Sequence, residues 1–191
     1  MRAEELHTAH HKAGHFVAYR HIRFSDPDFQ AGIVSPSAAT GQGQTLPLHG
    51  TEFRRRQATA EQSAEVASAP PVFSDLDVEE VKNHVVYLYA GAAAELRFDG
   101  SREEEVRATA GRDDEKAREL LEDIRRPELE AELRAAAADI VRERWSEVRH
   151  LATELLRYKS LGGEEAELVC REAAAAEALA AYRAVHRRRR R

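Results

Sequence analysis

The feature that most constrains the fold is a set of apolar residues at helical spacing across much of the chain. Between residues 78 and 98, and again between residues 127 and 161, apolar side chains recur every three or four positions, as on one face of an α-helix. The longer stripe consists of Leu129, Leu133, Ala137, Ile140, Val141, Val148, Leu151 and Leu155. Hydrophobic residues make up 42% and charged residues 33% of the 191 residues, a balance typical of amphipathic helices with solvated outer faces. The sequence therefore predicts a mainly α-helical protein.

The helix boundaries follow from turn and capping signals. Apolar spacing predicts a first helix from about Ala3 to Tyr19 and a second from about Val78 to Phe98. The acidic pair at residues 113–114 suits the beginning of a third helix, where negative charge interacts favourably with the helix dipole. Pro127 fits the first turn of a fourth helix, which we expect to end at Leu161-Gly162-Gly163. Glu164 then opens a last helix.

Two short strands interrupt the helical pattern. We expect strands at residues 30–36 and 45–48, joined through the glycine-containing turn at residues 41–44, so that the chain carries a small β-hairpin. Residues 54–77 have the composition of a long flexible loop. The domain is expected to span residues 1–182, followed by a basic tail at residues 183–191.

Several classes of protein are disfavoured by composition. The single cysteine, Cys170, excludes an internal disulfide and a cysteine zinc cluster. No apolar run reaches the ~20 residues of a membrane span, and the N-terminus has no signal-peptide pattern. We therefore expect a cytoplasmic protein without a membrane span. The net charge of -5 predicts no nucleic-acid binding, and the arginine tail, which has no interleaved aromatic residues, is better read as a solvated extension.

A histidine pair in the first predicted helix suggests a metal site. His11 and His15 are four residues apart, so a helix places them on one face about one turn apart. Two imidazole nitrogens so placed can bind one zinc ion at ~2.0 to 2.1 Å. The zinc-peptidase motif of this spacing is His-Glu-x-x-His, whose glutamate is the general base; here Lys12 holds the glutamate position. Spacing alone leaves ordinary core or surface histidines as the alternative.

The surrounding residues resemble the FtsH-type zinc peptidases, the proteolytic domains of membrane-bound AAA proteases. The segment Thr8–His15 is similar to that family's Thr-Ala-x-His-Glu-Ala-Gly-His. Four further segments match in order over about residues 5 to 172: Ile33–Pro36 with Gly41 and Gly43, Leu88–Leu96 with Gly100, Thr109–Asp113 with Ala117, and Leu161–Glu165.

The resemblance implies a fold, a cofactor and a ligand set. It implies a mostly helical zincin-like domain with a small hairpin, and zinc held by His11, His15 and an aspartate. Asp113 matches the family's aspartate best, and Asp114 is the alternative if the match is shifted by one residue. The resemblance also implies a peptide or unfolded protein as substrate and a homo-oligomeric ring.

The chain departs from this family in two respects. It contains no Gly-x-x-x-x-Gly-Lys-Ser/Thr loop, so any ATPase that delivers substrate would act in trans. The second departure is Lys12, because a lysine with its ordinary pKa of ~10.4 is a cation that cannot accept a proton from water. A neutral Lys12, or Glu95 from the second helix, would be the substitute base.

These observations lead to two functional hypotheses. The first is an FtsH-like zinc metallopeptidase domain whose proteolysis is impaired by Lys12. The alternative is a non-enzymatic module, a pseudopeptidase, whose former substrate cleft binds a peptide or partner protein without cutting it.

Overall fold

A computed structural model describes residues 3–23, 75–100, 103–104, 106 and 111–188 of the chain. The described residues are mostly helical, as predicted, and they include no strand. Within the described ranges, six helices have both ends defined: α1 (Ala3–Arg23), α2 (Asp75–Phe98), α3 (Gly111–Asp123), α4 (Glu130–Glu143), α5 (Trp145–Tyr158) and α6 (Gly163–Arg188), with a 3₁₀ turn at Pro127–Leu129 before α4. The predicted hairpin and residues 54–74 of the predicted loop lie outside the described residues.

Helices α1 and α2 form the centre of the fold and pack closely together. Their large buried side chains include Phe16 and Val17 on α1 and Val85 and Tyr89 on α2. Gly14 makes the close approach possible, because a Cβ atom there would overlap the carbonyl oxygen of Ala90 and lie 2.6 Å from the Cβ of Ala94. The mid-helix glycine thus brings the histidine-bearing face of α1 directly onto α2.

The prediction of one long helix from Pro127 to Leu161 is wrong in one respect, because the structure divides this segment into two helices at Arg144. The backbone of Arg144 has φ -105° and ψ 23°, which turns the chain between α4 and α5. The predicted apolar stripe is buried on both sides of this bend. Helix α4 packs on α2, whereas α5 packs on α1 and α6, so the bend lets one amphipathic sequence cover two neighbouring helices.

The ends of the helices also differ from the sequence-based boundaries. Helix α5 ends at Tyr158, because Lys159 adopts a left-handed conformation with φ 67°. The carboxylate of Glu165 accepts a hydrogen bond of 2.7 Å from the Gly162 N–H, which caps the start of α6. Helix α2 begins three residues inside the predicted loop. Helix α6 continues to Arg188, so residues 183–188 of the predicted tail are helical.

A buried ion cluster ties the other side of α1 to the last two helices. Arg20 donates from Nη1 to Glu147 on α5 at 2.7 Å and from Nε to Glu167 on α6 at 2.5 Å. Glu147 is almost fully buried, and a buried carboxylate without such a partner would strongly destabilise the fold. None of the described helices combines the length and apolar character needed to cross a membrane.

Candidate metal centre

The two histidines of the predicted motif meet at the interface between α1 and α2. His11 and His15 lie one turn apart on α1, and their Nε2 atoms are 2.9 Å apart. His15 is fully enclosed, whereas His11 retains a small exposed edge. The helical spacing of the sequence therefore does place two imidazole nitrogens at one point.

Asp113 brings a carboxylate to the same point from the first turn of α3. Its Oδ2 atom lies 3.1 Å from His11 Nε2 and 3.3 Å from His15 Nε2. Asp114, the alternative ligand, is directed elsewhere, with its carboxylate 3.2 Å from Arg134 and 3.9 Å from Arg118. The structure thus groups His11, His15 and Asp113 and leaves Asp114 in an ion pair.

Hydrogen bonds on the far side of each imidazole fix how the rings present their nitrogens. His11 Nδ1 lies 2.6 Å from Glu95 Oε1, and His15 Nδ1 lies 2.8 Å from the Tyr87 carbonyl oxygen. Both partners only accept hydrogen bonds, which assigns the ring proton to Nδ1 in each histidine. The Nε2 lone pairs of neutral rings then point at the site, an arrangement typical of metal-binding histidines.

The centre consequently contains three converging acceptors, which require a positive charge between them. Although burial alone would lower the pKa of His11, hydrogen bonds to Asp113 and Glu95 raise it. Burial lowers the pKa of His15, and the neighbouring His11 lowers it further. Burial alone would raise the pKa of Asp113, but hydrogen bonds from the two histidines hold it well below its usual range. Either a proton on His11 or a metal cation satisfies this arrangement.

The distances between the three acceptors suit a tetrahedral metal ion. Two ligands bound at ~2.0 to 2.1 Å with tetrahedral angles lie about 3.3 Å apart. The three observed separations are 2.9, 3.1 and 3.3 Å, so small adjustments would bring all three atoms to bonding distance. Two imidazoles and one carboxylate are also a donor set typical of catalytic zinc, with a fourth position open. The three residues can therefore hold a metal ion.

Gly91 forms the floor of this centre. A Cβ atom at residue 91 would lie 2.5 Å from His15 Nε2 and 2.8 Å from His11 Nε2. These separations are shorter than van der Waals contact, so both rings occupy space that only glycine leaves open. The role of Gly91 was not identified from the sequence, although its place in a run of small residues on a predicted helix was a usable signal.

Lys12 and Glu95, the two candidates for a proton acceptor, are placed differently. Lys12 is half-buried beside the ligands, and burial lowers the pKa of its amine. Glu95 is buried, and it contacts Nδ1 of His11, on the opposite edge of the ring from the ligand atom Nε2. Glu95 therefore orients His11 and is badly placed to accept a proton at the metal position.

The other two histidines of the segment have structural contacts. His7 Nδ1 lies 3.5 Å from Glu95 Oε2, and thus supports the carboxylate that orients His11. His10 Nδ1 lies 2.8 Å from the Leu6 carbonyl oxygen, and its ring stacks on Phe98 with a centroid distance of 3.9 Å. Only two of the four buried or half-buried histidines of α1 therefore face the centre.

No protein-family model matches this sequence, and no curated protein is significantly similar to it.

Proposed function

We propose that this protein is a homologue of the FtsH-type zinc peptidase domain that retains the metal site and has lost most or all proteolytic activity. The observation that carries the proposal is the convergence of His11 Nε2, His15 Nε2 and Asp113 Oδ2 within 3.3 Å of one another. These are the residues that the resemblance assigns as ligands, and they come from two helices about one hundred residues apart in the chain.

The protein's own residues would prepare this site for zinc. His11 and His15 would bind through Nε2, while Glu95 and the Tyr87 carbonyl accept their Nδ1 protons and prevent the rings from turning. Asp113 would supply a negative charge that partly neutralises the dication. Zinc in such a site polarises a bound carbonyl group or water molecule. Loss of partners such as Glu95 typically weakens metal binding by ~10 to 100-fold.

Lys12 is the reason to expect weak or absent proteolysis. In zinc peptidases of the His-Glu-x-x-His type, a carboxylate at this position accepts a proton from water and passes it to the leaving amine. An ammonium group has no lone pair for the first step, and its positive charge opposes that of a dication. Because Glu95 is committed to His11 Nδ1, the described residues include no obvious replacement.

Metal analysis beside an activity assay tests both parts of the proposal. The purified chain is expected to contain close to one zinc per molecule by elemental analysis, and His11→Ala to contain far less. Casein should be degraded slowly or not at all by the wild type, and faster by Lys12→Glu. His10→Ala is the matched control, since His10 lies on the same helix and contacts no ligand atom; it should retain zinc.

Two results would overturn the proposal. Vigorous wild-type proteolysis that disappears in His11→Ala would refute the loss of activity. A folded protein that binds no zinc even when zinc is added would refute the metal site. The latter result would favour the second candidate function, a module that binds a peptide or partner protein and holds no catalytic metal. The presence of Lys12 at the position of the general base supports this candidate.

A further inference from the structure

The three ligand side chains of the metal centre differ in how far solvent reaches them. The His15 side chain is only 4% exposed, whereas the side chain of Asp113 is 30% exposed. Beneath the two imidazole rings, the backbone of Gly91 closes the centre. A further ligand for a metal ion held there would therefore approach along Asp113.

The Lys12 side chain brings a positive charge close to this approach. The side chain is half-buried. Burial lowers the pKa of its amine, and the carboxylates of Asp113 and Glu95 oppose this effect by attracting the charged form. Asp113 is itself in contact with both ligand nitrogens, and Glu95 contacts the outer nitrogen of His11. The ammonium group is thus held beside the position that an incoming ligand would take.

The charges around a bound zinc ion would not balance in this centre. A zinc dication with two neutral imidazoles and the carboxylates of Asp113 and Glu95 has no net charge. The ammonium group of Lys12 adds one positive charge, and a charge that is partly buried without compensation is costly. A glutamate at residue 12, as in the His-Glu-x-x-His motif, would instead leave one negative charge. Lys12 therefore favours a monoanion over a neutral peptide carbonyl as the ligand at the open position.

We propose that the centre binds a carboxylate group, with one oxygen at the open position of the metal ion and the other accepting a hydrogen bond from Lys12 Nζ. A carboxylate carries two acceptor oxygens on one carbon atom, so a single anion can contact both the metal ion and the ammonium group. Peptide C-termini and small organic acids both present such a group. The inference rests on the zinc site of the proposed function, and it gives Lys12 a role in ligand binding.

Cobalt(II) in place of zinc makes ligand binding visible without an assay of activity, because its visible absorption changes with the ligand at the open position. The cobalt-loaded full chain should respond saturably to acetate and to N-acetyl-dialanine with a free carboxylate. It should respond neither to the amide of the same peptide nor to NaCl at equal ionic strength. Tighter binding of the peptide acid than of acetate would identify peptide C-termini as the source of the carboxylate, and equal or weaker binding would identify small organic acids.

Substitutions at residue 12 test the role of the ammonium group. Lys12→Met should weaken carboxylate binding by ~10 to 100-fold, as expected for the loss of one hydrogen bond between charged groups. Lys12→Arg keeps the positive charge and should bind carboxylate within a few-fold of the wild type. Lys82→Met is the matched control, because Lys82 contacts Glu79 and lies nine residues, or roughly 13 Å, along α2 from Gly91; it should bind carboxylate like the wild type.

Zinc affinity provides a second measurement, because two ligands that favour each other do so reciprocally. Acetate should strengthen zinc binding by the wild type more than zinc binding by Lys12→Met. Both proteins are measured in the same solutions, so the weak binding of acetate to free zinc affects them equally.

The possible outcomes separate this inference from the proposed function. If neither the wild type nor Lys12→Met bound zinc or cobalt, the metal site would be refuted, and the carboxylate site with it. If both proteins bound metal but bound acetate equally well or not at all, the metal site would stand and the role of Lys12 would be refuted. An amide that bound as tightly as the peptide acid would also overturn the inference, and this comparison uses the wild type alone, so it does not depend on the folding of a variant.

Discussion

Replacing Gly91 by alanine should remove metal binding and leave the fold intact. The new Cβ atom would lie 2.5 Å from His15 Nε2 and 2.8 Å from His11 Nε2. Restoring ordinary contact at about 3.4 Å requires these atoms to move by roughly 0.6 to 0.9 Å, several times the ~0.2 Å tolerance of metal–ligand distances. Because both histidine ligands are displaced, we expect zinc affinity to fall by at least ~100-fold, which corresponds to about 2.8 kcal/mol.

The fold should tolerate this change because two small effects oppose one another. Alanine is favoured over glycine inside a helix by up to ~1 kcal/mol. Displacing His15 weakens its 2.8 Å hydrogen bond to the Tyr87 carbonyl, which is worth ~1 kcal/mol. In a chelator, the melting temperature of Gly91→Ala should therefore lie within about 4 °C of the wild type. Competition with a zinc indicator gives the affinity, and thermal unfolding in EDTA gives the stability.

Two other glycines provide controls with opposite expectations. A Cβ at Gly14 would overlap backbone and side-chain atoms of α2, so Gly14→Ala should destabilise the fold by about 1 to 3 kcal/mol. A Cβ at Gly111 would meet nothing within 4 Å, so Gly111→Ala should change neither property. The reasoning would be refuted if Gly91→Ala bound zinc as tightly as the wild type, or if it lost zinc only through unfolding like Gly14→Ala.

Three further predictions concern the surroundings of the centre and the opposite side of the domain. Glu95→Gln, which removes the charge on the 2.6 Å contact with His11, should weaken zinc binding by ~10 to 100-fold; an unchanged affinity in the same competition assay would argue against its orienting role. Arg134 contacts Asp114 at 3.2 Å and Glu130 at 2.9 Å, and so holds the beginning of the helix that carries the aspartate ligand. Arg134→Met should lower zinc affinity several-fold without displacing a ligand, and equal affinities would contradict this. Burial raises the pKa of the Cys170 thiol to about 12, so very little of the reactive thiolate is present at pH 8, and native protein should react with Ellman's reagent far more slowly than protein in guanidinium chloride.

Local patterns in the sequence predicted most of the helices and the histidine pair. Apolar spacing is a property of neighbouring residues, and it located the buried faces of α4 and α5 correctly. On α2 the burial extends beyond the predicted face, since all residues from 85 to 90 are buried. The i, i+4 spacing of His11 and His15 likewise determines their proximity once α1 forms. The placement of Asp113 was different, because no local rule connects it with α1. The choice of Asp113 came from the resemblance alone, which left Asp114 as an alternative. In the structure, Asp114 instead forms an ion pair with Arg134.

Features that depend on tertiary contacts could not be predicted from the sequence. The division of the long helix at Arg144 is not accompanied by a proline or a glycine. The bend becomes understandable only when α4 is seen on α2 and α5 on α1. Helix α5 ends where it does because Lys159 adopts a left-handed conformation. Residue preferences alone would place the left-handed residue at Gly162. Similarly, the Tyr87 carbonyl that orients His15 is a backbone atom, and no side-chain pattern identifies it.

The centre combines an aspartate on α3 with different contributions from α1 and α2, and this division bears on what Lys12 changes. Helix α1 supplies the two imidazoles, whereas α2 supplies what positions them: Glu95, the Tyr87 carbonyl and the open space at Gly91. Both outer nitrogens of the histidines contact acceptors, and both inner nitrogens are turned to the carboxylate of Asp113. The residues that could hold a cation are therefore all in place, whereas the substitution at Lys12 concerns the transfer of a proton. Changes on α2 should accordingly alter zinc affinity alone, whereas replacing Lys12 by glutamate should raise proteolysis and, by removing a positive charge, should also strengthen zinc binding.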